Sequence, residues 1–118
     1  MNSGSDAERL KGNLDLLLLS VLANGPAHGY AVVGKLREAS GGTFDLPEGT
    51  VYPALHRLER AEWLTAVWER GDASGPSRRR KVYSVTAAGQ RALTAERTRW
   101  TRFSTGISTV LDGAAGVA

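Results

Sequence analysis

Cysteine is absent from the 118 residues, so neither a disulfide framework nor a thiolate metal site can form, and a reducing compartment is expected. Long apolar runs are missing as well. The longest, Leu14 to Ala23, is interrupted by Asp15 and Ser20 and falls well short of the ~20 residues that cross a bilayer, so it reads as a buried helix. Met1 to Arg9 carries Asp6 and Glu8 and lacks the apolar core of a secretory leader, which predicts a flexible tail and a cytoplasmic protein. Histidine is scarce: His28 and His56 are the only two, and neither is followed by a second ligand at metal spacing. No Gly-rich strand-to-helix turn is present to hold a phosphate, so nothing points to catalysis, a metal or another cofactor.

What is present is an ordinary globular composition, 42% hydrophobic and 23% charged, enough for one domain with a real core. The charge is unevenly spread. Residues 1–56 hold four Lys/Arg and six Asp/Glu, whereas residues 57–118 hold eleven and six, so a net −2 is followed by a net +5. Arg70 to Lys81 alone carries five basic residues against Asp72. A segment of this kind suits a polyanion, although a solvated surface loop has the same composition.

Helical periodicity organises the first half. Asn13 is placed to cap a helix in which Leu14, Leu17, Leu18, Val21 and Leu22 recur at helical spacing, and Gly25-Pro26 ends it. A second helix is expected from about His28, itself a cap or packing residue, to Ser40, with Tyr30, Val33 and Leu36 toward the core. A third runs to about Trp63; with Thr50 as its N-cap, Pro53 falls at the third helical position, where its missing N–H has no partner to lose. On that helix Val51, Ala54, Leu55 and Leu58 form one face, while Pro53, His56 and Arg60 point the opposite way, flanked by Tyr52 and Arg57. A helix carrying such groups opposite an apolar stripe suits the major groove of DNA, and it is also what many surface helices look like.

Alternation takes over next. Leu64 to Arg70 and Lys81 to Thr86 read as two strands, joined by a mobile tip over 71–77 and followed on its C-terminal side by Arg78, Arg79, Arg80 and Lys81. Thr86 then caps a fourth helix reaching about Leu111, in which Leu93, Trp100 and Ile107 recur every seven residues with Phe103 and Val110 filling the seam. That stripe needs a partner, either a second copy of the chain or the helix's own domain. A mainly α protein with one small β-hairpin, in this order, is the layout of a winged helix-turn-helix plus a C-terminal helix. The expected division is a DNA-binding unit at 10–86, a dimerisation helix at 87–111, and flexible tails at 1–9 and 112–118.

Glu48-Gly49-Thr50-Val51-Tyr52-Pro53-Ala54-Leu55, then Arg57-Leu58-Glu59 and Trp63-Leu64, resembles the recognition helix of the PadR-like transcriptional regulators. Gly25-Pro26-Ala27-His28-Gly29-Tyr30, Arg79-Arg80-Lys81-Val82-Tyr83, Val85-Thr86 and Gly89 extend the resemblance over about residues 10–110. The resemblance implies a homodimeric, winged-helix repressor of the short subfamily, released from DNA by a ligand in some members. It places Thr50, Tyr52 and Pro53 at the DNA, with Arg78 to Lys81 on the backbone or minor groove. His56, Arg57 and Arg60 join them from the helical wheel. Leu93, Trp100, Phe103, Ile107 and Val110 are the expected dimer contacts. Trp100 also matches a tryptophan that lines an aromatic slot in similar multidrug-binding members, with Arg97 and Arg99 near enough to meet an anionic group on a planar aromatic effector. Plain interface packing is the other reading of Trp100. The competing function is a winged-helix module that binds protein or ligand rather than DNA, for which a strongly basic wing has no use.

Overall fold

Apolar side chains three and four residues apart leave each of the first helices with one stripe to bury, and the stripes are buried against one another. The computed structural model describes residues 10, 12–70 and 79–117. The expected tail 1–9, the hairpin tip 71–77 and Arg78 lie outside the described residues. α1 (Leu14–Ala23) buries Leu18, Leu19 and Leu22. Its start is not capped as expected: the Asn13 side chain makes no bond to the helix, and the Asn13 N–H instead donates to the Leu10 carbonyl at 2.8 Å. β1 (Ala27–His28) follows directly, a third strand that two residues are too few to announce by alternation.

α2 (Gly29–Ala39) is capped by His28, whose Nδ1 accepts the Ala31 N–H at 3.4 Å. Its buried residues are Gly29, Val32 and Leu36. Tyr30, expected in the core, is 67% exposed, because at about 100° per residue it points well away from the stripe of Gly29, Val32 and Leu36. α3 (Glu48–Arg60) starts two residues before the expected cap at Thr50. Pro47 is the N-cap, with φ −73° and ψ 154°, and its carbonyl accepts the Thr50 and Val51 N–H groups at 2.9 and 3.2 Å. Pro53 is therefore the sixth helical residue, inside the helix, where it removes the donor that would meet the Gly49 carbonyl. Both residues are exposed, so water can serve that carbonyl.

The C-terminus of α3 aims the wing. The Trp63 N–H returns to the Leu58 carbonyl at 3.0 Å and the Glu62 N–H to Glu59 at 2.9 Å, with Glu62 at φ 65° where a glycine usually sits. β2 (Leu64–Arg70) then pairs antiparallel with β3 (Arg79–Val85), and β3 pairs with β1, giving the order β1-β3-β2. β3 begins at Arg79, so Arg79 and Arg80 belong to the ladder, opposite Arg70 and Glu69.

α4 (Ala87–Val117) starts at Thr86 as expected, its hydroxyl oxygen accepting the Gly89 N–H at 3.0 Å while the hydroxyl donates to the Glu62 carbonyl at 2.7 Å. The backbone stays helical to Val117 rather than ending near Leu111, because no proline interrupts it and extending an existing helix costs little per residue. Leu93 is a second correction: it is 5% exposed and packs in the core with Leu18, Leu22 and Leu55, since the first turns of α4 lie against α1. Beyond it the helix leaves the domain.

Two glycine-related substitutions test this framework. A Cβ on Gly89 would sit 2.1 Å from the Trp63 carbonyl oxygen, so Gly89→Ala is expected to lower the thermal midpoint even though alanine normally favours a helix by about 1 kcal/mol. Glu62→Gly is expected to raise stability by about 1 kcal/mol by relieving the left-handed backbone. Thermal denaturation of both variants reads the two signs.

Candidate nucleic-acid interface

The apolar face of α3 fixes which side chains are left outside. Val51, Ala54, Leu55 and Leu58 are all buried, as the spacing predicts, and Pro53, His56, Arg57 and Arg60 are all exposed. Thr50 and Tyr52 are half-buried at the boundary. The Tyr52 ring lies close against the start of α2: a Cβ at Gly29 would fall 2.3 Å from its Cε1, so only glycine permits this approach. Burial, and secondarily the carboxylate of Glu48, push the Tyr52 phenol above its ordinary value of 10.0, so it remains a protonated donor at neutral pH. Arg57, although exposed, is engaged on its own protein: its Nη2 donates to Asp15 on α1, tying the two helices together.

Strand alternation divides the basic cluster. Arg79 and Lys81 lie on the same face as Trp68, Tyr83 and Val85, the face that continues from the core, whereas Arg80 lies on the other with Val82 and His28. The Arg79 guanidinium stands 5.4 Å from the centre of the Trp68 ring, and the Lys81 ammonium 5.9 Å from it. Trp68 is 58% exposed because the hairpin outruns the core at that point. Lys81 also reaches α3, where its Nζ is 2.8 Å from Glu59 Oε1. The hydrogen bond to Glu59 is the main cause holding the Lys81 ammonium above its ordinary value of 10.5. This bridge braces the wing against α3 and partly neutralises one of the expected phosphate-binding cations. Arg80 Nη1 lies 3.4 Å from His28 Nε2. Arg78, the remaining member of the expected cluster, lies outside the described residues.

On α4 the stripe that leaves the domain is wet. Trp100, Phe103, Ile107 and Val110 are between 43% and 71% exposed, joined by Leu111. The Trp100 and Phe103 rings are 6.0 Å apart and tilted by 43°. Arg97 is exposed beside them, while Arg99 is held by Glu96 one turn earlier. Two participants escaped the sequence reading. Trp68 had a signal, its place in the alternation, which pointed inward. His28 was read as a cap or packing residue, and its neighbour across the sheet, Arg80, depends on strand register. Among the described residues no three His, Asp or Glu side chains gather to hold a metal, and no helix is long and apolar enough to cross a membrane.

Comparison with known proteins places this arrangement in context. The family model of the transcriptional regulator PadR-like family matches residues 18–95. A PadR family transcriptional regulator from Eggerthella lenta is similar in structure, with a TM-score of 0.77 and 31% identity over 92% of this chain and 90% of that one. A PadR family transcription regulator from Clostridium difficile has a TM-score of 0.71 and 30% identity, covering 83% and 97% of the two chains. An uncharacterized protein from Lysinibacillus sphaericus is 26% identical over 88% of this chain and 93% of its own length.

The Glu59–Lys81 bridge makes a pH prediction. Because the folded state raises the Lys81 value, the bridge's contribution is fully present below pH 10.5 and is lost as pH rises through the raised value. Glu59→Gln should return the Lys81 side-chain titration toward 10.5 and reduce the alkaline loss of stability, as read by NMR titration and by denaturation at alkaline pH.

Proposed function

The chain belongs to the PadR-like family of transcriptional regulators, and from that premise we propose that it is a homodimeric repressor that grips operator DNA through α3 and the wing. The observation that carries this reading is the separation of faces on α3: four apolar residues buried, and Pro53, His56 and Arg60 left outside next to a basic hairpin. Thr50, Tyr52, Pro53 and His56 enter the major groove, with Arg60 nearer the backbone. Arg79 and Arg80 meet phosphates on either side of the hairpin, and Arg57 and Lys81 contribute chiefly by bracing. Residues 10–86 form the DNA-binding unit and α4 the dimerisation element.

The wet stripe on α4 supports the dimer. Burying side chains such as Trp100, Phe103 and Ile107 is worth roughly 1.5 to 3 kcal/mol each, and a second copy is the economical way to bury them. In a two-fold arrangement the contact is isologous, so the two Trp100 rings approach the axis and a planar aromatic effector fits between them, with Arg97 at its edge. Such a ligand changes the spacing of the two α3 helices and so releases operator DNA, whose half-sites lie about one helical turn apart.

Duplex binding measured against salt tests the reading. Wild-type protein should bind with a steep negative slope of log K against log salt, and Arg79→Ala with Arg80→Ala should make the slope shallower by about 0.9 for each phosphate that is no longer neutralised. A slope unchanged in a folded double variant contradicts the wing assignment. In sedimentation, the wild type should be a dimer without any effector, and Phe103→Asp with Ile107→Asp should give a monomer with much weaker operator affinity. A wild-type protein that sediments as a monomer contradicts the role given to α4.

A further inference from the structure

His28 and Arg80 meet across the sheet at a spot exposed to solvent. The first nitrogen of the ring is committed: His28 Nδ1 accepts the Ala31 N–H that caps α2. A neutral imidazole has only one accepting nitrogen, so with Nδ1 taking the capping N–H the ring's proton is assigned to Nε2, which is then a donor. The atom 3.4 Å from Nε2 is Arg80 Nη1, and a guanidinium has no acceptor to offer. In that tautomer two donors face the same exposed spot. Glu69, directly opposite Arg80 on the ladder, makes no ion pair with it among the described residues, so the guanidinium is not tied to that carboxylate. An oxygen at about 2.9 Å from each nitrogen would satisfy both, a geometry that suits one anionic oxygen. Tyr52, whose ring packs on Gly29, brings the α3 end of the DNA-contacting face beside the same spot.

We propose that His28 and Arg80 together clamp one phosphate oxygen of the bound duplex, making His28 a DNA-contacting residue as well as the cap of α2. The proposal rests on the DNA-binding reading above. Phosphate contacts of this kind set the position of the protein on the duplex and carry no base preference.

His28→Asn separates the two roles, because the asparagine carboxamide can still accept the capping N–H but is too short to reach the position of Nε2. Expected are an unchanged thermal midpoint and duplex binding weakened about tenfold or more, equally for operator and unrelated sequence, as follows from removing one hydrogen bond to a charged group. The salt slope should stay as in the wild type for His28→Asn, which removes no charge, and should fall by about 0.9 for Arg80→Ala. The His28→Asn/Arg80→Ala double variant should be weakened by less than the product of the single effects. Imidazole nitrogen NMR of the wild type supplies an independent reading: Nε2 protonated in the free protein, and its resonance displaced when a duplex is added. Wild-type duplex affinity in His28→Asn, strictly multiplicative single effects, or a ring protonated on Nδ1 overturns the clamp while leaving the DNA reading intact. Failure of the wild type to bind any duplex overturns both.

Discussion

The packing of four side chains on α3, Val51, Ala54, Leu55 and Leu58, against α1 and α2 orients everything that faces DNA in the proposed complex. Once they are buried, helical geometry leaves Pro53, His56 and Arg60 no direction but outward. The same packing fixes the last turn of α3, whose reverse turn through Glu62 launches β2, and the β2–β3 register then decides which basic side chain falls on which face of the wing. Lys81 closes the loop by bonding back to Glu59 on α3. Helix and wing are thus held as one body, and their relative angle does not depend on a partner.

α4 is organised by a different constraint. Its first turns are fixed to the domain at three points: the Thr86 hydroxyl between Glu62 and Gly89, the close passage of Gly89 over the Trp63 carbonyl, and Leu93 in the core. After Leu93 the helix extends alone. A helix of 31 residues is about 46 Å long, so a small change in how two such helices cross becomes a large change at the domains they carry. In the dimer and ligand response proposed above, this length is the lever through which a compound near Trp100 would act on the domains, with the Thr86–Gly89 contact as the point of attachment.

How much of this was legible in the sequence differs element by element, for physical reasons. The stripe on α3 was readable because four apolar residues at helical spacing leave one choice of face, and the cap at Thr86 because a hydroxyl three residues before Gly89 can hardly do otherwise. The start of α3 was not: Thr50 is a better cap by type than Pro47, yet the extended backbone of Pro47 presents its carbonyl to the first turn. Tyr30 was misplaced because the series Tyr30, Val33, Leu36 and Gly29, Val32, Leu36 both run at helical spacing and share Leu36, so spacing alone does not choose between them. Leu93 shares a seven-residue repeat with Trp100, and periodicity cannot tell which member of a stripe docks on its own domain. In the wing, the run Arg79 to Lys81 has no apolar alternation of its own, so its division between two faces emerges from the pairing with β2. The encounter of His28 with Arg80, 52 residues apart, needs the β1–β3 pairing, and a two-residue strand leaves no pattern to find.

Backbone amide NMR during titration with an operator duplex tests the central claim, that α3 and the hairpin form one DNA-facing surface, most directly. The account predicts shifts concentrated on Thr50 to Arg60, on the start of α2 and on Arg79 to Val82, with Trp100 to Val110 little changed. Perturbation confined to α4, with the exposed face of α3 silent at saturation, would contradict it.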